Sequence, residues 1–216
     1  MAKHDGRRVV SPGLVGDALN HLALIFLVVL FLAALPGAGT AAEAKGDGKG
    51  AGGSWFTEAG FIGGYGHASL DASVYRTLMM MGHLAKDITH YIPVLESHWG
   101  RLSFFLEPQF NYILKPAGEV EFGLGIGFQY AYPVTETISP YILVVSGPQV
   151  ISIDSITQAN GLNFSSAFGV GVYFTLAKNT ALNLGYRHRH VSNADLQKPN
   201  EGIDSEIGVL GLSYFF

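Results

Sequence analysis

Between residues 120 and 132 large apolar or aromatic residues alternate strictly with small or polar ones. The even positions carry the large side chains: Val120, Phe122, Leu124, Ile126, Phe128, Tyr130 and Tyr132. The odd positions carry Glu121, Gly123, Gly125, Gly127, Gln129 and Ala131. Period-two alternation predicts a β-strand with one apolar face. An apolar face opposite a small, polar face with little charge favours a transmembrane β-barrel, in which the apolar face contacts lipid.

Eight segments of this kind follow one another after residue 54. They are predicted at 55–67, 75–91, 101–114, 119–132, 138–147, 162–175, 180–192 and 204–216, the second alternating least clearly. Several exceed the roughly 9–11 residues that a tilted strand needs to cross a bilayer. The chain ends in alternating apolar residues and Phe216, which is similar to the assembly signal of bacterial outer-membrane barrels. We predict an all-β fold, an eight-stranded antiparallel transmembrane β-barrel over residues 55–216, with a soluble β-sandwich as the alternative.

The amino-terminal segment has the features of an export signal. A basic region precedes an unbroken run of 14 apolar residues at 22–35, and small residues follow. This pattern predicts a signal peptide over residues 1–42 with cleavage near Ala42 or Ala44. A glycine-rich linker is predicted over residues 43–54. An uncleaved anchor is the alternative, although the apolar run is short for a spanning helix. The expected location is the bacterial outer membrane.

Composition excludes several classes of function. The chain has no cysteine, so it has no disulfide framework, thiolate metal site or thiol nucleophile. A formal net charge of −4 argues against nucleic acid as a partner. Zinc-protease, P-loop and nucleophile-elbow motifs are absent from the sequence. The candidate catalytic groups described next also suggest neither a metal nor a cofactor.

The last predicted hairpin carries the residue types of a nucleophilic site. His190 and Ser192 share the apolar face of strand seven, and Asp204 and Glu206 share that of strand eight. With the carboxyl terminus in the periplasm, these residues meet at the outer-leaflet rim. A histidine can accept the serine proton while a carboxylate fixes the imidazole tautomer. A polar interfacial rim without chemistry explains the same residues equally well.

One motif in this hairpin resembles the signature of the PagL family of lipid A 3-O-deacylases. It consists of His190-x-Ser192-Asn193-Ala194 followed by Pro199-Asn200-Glu201-Gly202-Ile203-Asp204. The resemblance implies an outer-membrane serine esterase that removes the acyl chain ester-linked at the 3-position of lipid A. Lipid A in the outer leaflet is then the partner of this protein. The resemblance also implies Ser192 as nucleophile, His190 as general base and Asp204 as the acid, where well-known relatives carry glutamate. The oxyanion or substrate-binding residues are then Asn193, Ala194, Asp195 and Asn200, although Asp195 stands where some relatives have glycine.

The strand register decides between two acids. If Ser192 pairs opposite Asp204, then His190 faces Glu206. A shift of two residues places Asp204 opposite His190. We prefer Asp204 on the motif and keep Glu206 as the alternative. His188, on the same face but further from the rim, is a candidate interfacial or substrate-contacting residue.

The remaining charged residues near this hairpin have less specific roles. Arg187 and Arg189 have the parity of the barrel interior, so we expect them to pair with interior glutamates, the candidates being Glu107, Glu119 and Glu121. Lys198, in the predicted loop, is a candidate for contacting a lipid A phosphate.

Two other functions fit the same barrel. One is a non-catalytic structural or adhesion protein, and the other is a different outer-membrane lipid hydrolase or acyltransferase. A homodimer is compatible with either function and with the deacylase.

Overall fold

The computed structural model describes residues 55–70, 73–92, 95, 100–116, 118–153, 155 and 157–216. The predicted signal peptide and linker lie outside the described residues.

Eight antiparallel strands form a closed barrel in chain order, which confirms the predicted fold. The strands are β1 (Glu58–Leu70), β2 (Ser73–Asp87), β3 (Arg101–Lys115), β4 (Glu119–Ala131), β5 (Ile138–Ile151), β6 (Gly161–Ala177), β7 (Thr180–Ser192) and β8 (Ile203–Phe215). Pairing between β1 and β8 closes the barrel. No helix in the described part of the chain is long and apolar enough to cross a membrane.

The two largest differences from the predicted strand ends are four residues each, in β2 and β5. The second strand was predicted to reach residue 91, but β2 ends at Asp87 and a short 3-10 helix covers Thr89–Tyr91. The Asp87 carboxylate accepts a hydrogen bond from the Thr89 backbone N–H at 2.8 Å, which favours a turn over continued pairing. The fifth strand was predicted to stop at residue 147, but β5 runs to Ile151 through Pro148. Pro148 pairs with β6 and is skipped in the pairing with β4, because it has no N–H to donate.

The outer face of the barrel is apolar along most of its height. Its exposed side chains include Leu124, Ile126, Phe128, Val144, Phe168, Leu184, Leu210 and Leu212. The side chains of opposite parity are buried and are mostly polar or small. This arrangement is the one that the alternation predicts for a barrel in lipid.

The barrel interior contains buried ion pairs. Arg187 donates to Glu107 at 2.6 and 2.9 Å, and Arg189 donates to Glu121 at 2.9 Å. The predicted inward pairing of both arginines is therefore confirmed. Glu119, the third candidate partner, instead accepts a hydrogen bond from Ser152 at the barrel end.

An apolar cluster closes the interior at the end where β7 stops and β8 starts, here called the site end. It consists of Ala68, Tyr75, Ile113, Ile151, Ile153, Val191 and Ile203. Val191 lies between His190 and Ser192, and Ile203 directly precedes Asp204. Because both apolar side chains are buried in the interior, alternation directs their polar neighbours outward.

Candidate active site on the outer face

Four polar residues of β7 and β8 project from the outer face near the site end. They are His188, His190, Asp204 and Glu206. Arg189, between the two histidines, is anchored inside the barrel by Glu121 and by the Tyr75 hydroxyl at 2.9 Å. Fixed inward neighbours thus hold the outward residues at a defined position along the strand.

The register places His190 opposite Asp204. The Nδ1 atom of His190 lies 2.8 Å from Oδ1 of Asp204. With Nδ1–H donating to this carboxylate, Nε2 carries the lone pair and can accept a proton. The side chains are 45% and 63% exposed, so the pair lies at the surface of the barrel.

Glu206 belongs to a separate group one step further along the same face. Its Oε1 lies 2.9 Å from Nδ1 of His188, and its Oε2 accepts a hydrogen bond from the Tyr186 hydroxyl. His188 pairs with Glu206 in the strand register, as His190 does with Asp204. The two carboxylates therefore have different histidine partners.

Ser192 is the last residue of β7 and is partly buried. It lies two residues after His190 on the same face of the strand. Among the described residues the Ser192 hydroxyl has no hydrogen-bond partner. Catalytic hydrogen bonds are often long before substrate binds and shorten in the complex, so the hydroxyl is available to a rotated imidazole.

The second and third residues of the β7–β8 loop (residues 193–202) lie in the left-handed region. Ala194 has a φ of 53° and Asp195 a φ of 63°. Their backbone N–H groups donate to no other described residue, although the N–H of Leu196 donates to Asn193 O at 3.1 Å. Two unused amides close to a serine hydroxyl are able to bind an oxyanion.

The other two predicted oxyanion residues are held within the loop. Asn193 is buried, with its Nδ2 donating to Gln197 O at 2.7 Å. Asn200 Oδ1 accepts from the Asn193 backbone N–H at 2.8 Å, and its Nδ2 donates to Asp195 Oδ1 at 3.0 Å. Lys198 also donates to Asp195 Oδ1, at 2.6 Å. These hydrogen bonds from Lys198 and Asn200 hold the pKa of Asp195 below its usual value.

A second serine, which the sequence reasoning did not include in the site, lies beside His190. Ser166 of β6 is the cross-strand partner of His190. Its hydroxyl is 2.8 Å from that of Ser146, its partner on β5. Only the register between β6 and β7 reveals this neighbour, and the sequence pattern does not fix that register.

A groove of about 400 Å³ crosses the outer face next to these serines. Its lining includes Phe128, Val144, Ser146, Ser166, Phe168 and His188. The small serines lie between larger apolar residues, so the outer surface is indented there. The groove extends from β4 across β5 and β6 to His188 of β7.

The described residues contain no group of three or more histidine, aspartate or glutamate side chains able to hold a metal ion. The groups brought together here are those of acid–base and nucleophilic chemistry.

A family model described as lipid A 3-O-deacylase (PagL) matches residues 86–213, more than half of the chain. The chain belongs to this family. The matched region contains the outward histidines, both carboxylates, Ser192 and the whole β7–β8 loop. No match was found among curated proteins.

Solved outer-membrane barrels share the fold of this PagL family member. Neisserial surface protein A is 14% identical, with a TM-score of 0.54 over 74% of this chain and 96% of its own. The outer membrane enzyme PagL is 21% identical, with a TM-score of 0.49 over 72% of this chain and 99% of its own. Ail of Yersinia pestis is 13% identical, with a TM-score of 0.46 over 74% of this chain and 97% of its own. The similarity to neisserial surface protein A agrees with the closed eight-stranded barrel fold of this chain.

Proposed function

We propose that this PagL family member is a serine esterase that hydrolyses the 3-O-linked acyl chain of lipid A. The observation that carries the proposal is the His190–Asp204 pair at 2.8 Å, on the outer face that also carries Ser192. A nucleophile, a base and an orienting acid are the three roles of a serine-hydrolase triad. Their outward position supports a substrate that remains in the membrane while it is cleaved.

The proposed reaction begins with proton transfer from Ser192 to His190 Nε2 as the Ser192 Oγ attacks the ester carbonyl. The oxyanion that forms accepts hydrogen bonds from the Ala194 and Asp195 amides. Asn193 and Asn200 support these amides by fixing the loop, and the second Nδ2 proton of Asn200 is a further candidate donor. Collapse of the tetrahedral intermediate breaks the ester bond, and His190 returns the proton to the 3-oxygen of lipid A.

Water completes the proposed cycle. His190 Nε2 accepts a proton from water as the water oxygen attacks the acyl-Ser192 carbonyl. Collapse of the second intermediate releases a free fatty acid and returns the proton to Ser192. Asp204 stabilises the imidazolium in both halves of the reaction.

The groove supports a lipid as the substrate. Ser146 pairs with Ser166, Ser166 with His190 and His190 with Asp204, so these outward residues form one row across four strands. An acyl chain in the groove would lie against apolar side chains with its ester end towards His190. Lys198 is exposed at the site end and is a candidate for contacting a lipid A phosphate.

The test is mass spectrometry of lipid A from Gram-negative cells that express the chain, with Ser192→Ala and Ser166→Ala as matched variants. We expect the parent chain and Ser166→Ala to remove one 3-hydroxyacyl group, and Ser192→Ala to remove none. If Ser166→Ala alone lost activity, the nucleophile would be Ser166 of β6 and not Ser192. If the parent protein is correctly folded but leaves lipid A unchanged in cells, the assay is repeated with purified protein in detergent. Unchanged lipid A in both assays would contradict the proposed activity.

A further inference from the structure

Two loops at the site end are joined by backbone hydrogen bonds. The β5–β6 loop spans residues 152–160, of which 154 and 156 are not described. The Ala159 N–H donates to Pro199 O at 2.9 Å, and the Glu201 N–H donates to Thr157 O at 2.8 Å. Between them, Gln158 forms a β-bridge with Asn200. The β5–β6 loop therefore holds the β7–β8 loop in place through backbone hydrogen bonds.

Gln158 connects this loop contact to the barrel. Its side chain is fully buried, with Oε1 accepting from the Gly202 N–H at 3.1 Å. Its Nε2 donates to Oδ1 of Asn163 at 2.7 Å. Asn163 lies on β6, is also fully buried, and donates to Gly161 O at 3.1 Å. Gln158 thus fixes the backbone of Gly202 relative to β6.

Gly202 in turn lies against the His190 imidazole. A Cβ at position 202 would be 2.5 Å from Cε1 and 3.2 Å from Nε2 of His190. The φ of Gly202 is +86°, which also favours glycine. The imidazole therefore has the Asp204 carboxylate at Nδ1 and Gly202 beside its Cε1–Nε2 edge.

We propose that Gln158 and Gly202 are positioning residues for His190. Gln158 holds the Gly202 backbone, and Gly202 limits how far the imidazole can rotate about the Asp204 contact when Nε2 turns towards Ser192. The inference rests on the proposed function for its effect on catalysis. The geometry of the imidazole can be tested without that function.

Gly202→Ala is tested against Gly161→Ala. Gly161 has nearly the same backbone conformation, with a φ of +87°, but a Cβ there would meet nothing within 4 Å. Both variants carry the strain of a positive φ, and only Gly202→Ala displaces the imidazole. A displacement of about 1 Å in an active site can cost about 100-fold in rate. We expect a loss of this order in the kcat of Gly202→Ala for lipid A, with KM little changed, and parent-like kcat in Gly161→Ala.

Gln158→Leu is tested against Gln158→Glu and Gln129→Leu. Glutamate keeps the oxygen that accepts from Gly202, so it should retain more kcat than leucine. Gln129 is a buried amide at the opposite end of the barrel, donating to the Tyr173 hydroxyl at 2.9 Å. Its removal should lower stability without changing the pH profile of kcat/KM, whereas Gln158→Leu should change that profile.

Modification of His190 by diethyl pyrocarbonate, followed by peptide mass spectrometry, gives a readout independent of activity. We expect modification several-fold faster in Gln158→Leu than in the parent and Gln129→Leu, because the imidazole loses its packing partner. If Gln158→Leu alters the modification rate of His190 but the parent protein does not deacylate lipid A, the positioning role is supported and the proposed function is refuted. Equal modification and equal kcat in Gly202→Ala and Gly161→Ala would overturn the positioning role.

Discussion

Replacing Asp204 with asparagine isolates the contribution of one carboxylate to the proposed triad. Glu206→Gln is the matched control, because both acids lie on the outer face of β8. Each has an oxygen within hydrogen-bond distance of a histidine Nδ1, at 2.8 Å for Asp204 and 2.9 Å for Glu206. Both substitutions keep the shape of the side chain and remove its charge. Only the histidine partner differs, His190 in one case and His188 in the other.

The expected magnitude follows from the exposure of the pair. In a buried triad, replacing the aspartate with asparagine lowers kcat by about 10⁴-fold. The Asp204 side chain is 63% exposed, so its charge is screened more strongly than in a buried triad. We therefore expect a loss of about 100-fold in kcat for Asp204→Asn, with KM for lipid A little changed. Glu206→Gln should remain close to the parent.

The assay is release of 3-hydroxy fatty acid from lipid A by purified protein in detergent micelles, measured over a range of substrate concentrations. Folding of each variant is checked by its electrophoretic mobility with and without heating. A larger loss in Glu206→Gln than in Asp204→Asn would refute the assignment of the acid. Equal, small losses in both variants would refute a triad that depends on a carboxylate.

Three further predictions concern the barrel interior, pH and metal ions. Glu121→Gln should lower the free energy of unfolding by about 3–5 kcal/mol in urea titrations, because it leaves buried Arg189 without a counter-charge. Glu119→Gln, on the same strand, should lower the free energy of unfolding much less. Equal effects of the two substitutions would contradict the interior pairing. Activity should fall from pH 8 to pH 5, because a protonated imidazole accepts no proton. The pKa of Asp195 is depressed, so its loop contacts persist throughout this range and are lost only at lower pH. Loss of these contacts therefore does not explain a fall in activity between pH 8 and pH 5. A flat profile would exclude His190 as the base. EDTA should leave the rate on purified lipid A unchanged, and complete loss would contradict the proposed mechanism.

The sequence predicts the barrel well because alternation is a direct consequence of having lipid outside and packed side chains inside. The same parity correctly predicted that Arg187 and Arg189 point inward, where Glu107 and Glu121 pair with them. Parity carries less information where local hydrogen bonds compete with pairing. Asp87 shows this, since its carboxylate binds the Thr89 N–H and the second strand ends early.

The site is less predictable because it depends on register and on contacts between loops. Alternation places Asp204 and Glu206 on the same face, but only the pairing of β7 with β8 shows which acid faces His190. Ser166 enters the site through the register between β6 and β7. Gln158 is 44 residues from Gly202 in the chain, and no periodic pattern connects the two.

Covalent labelling of the purified protein tests the central claim, that Ser192 is the nucleophile for lipid A deacylation, most directly. The protein in detergent is treated with a serine-directed fluorophosphonate, the labelled peptide is identified by mass spectrometry, and the remaining lipid A deacylation is measured on the same sample. The account predicts one label, on Ser192, with activity lost in proportion to labelling and no labelling in His190→Ala. Deacylation that continues when Ser192 is fully labelled, or a label on Ser166 that abolishes it, would contradict the account.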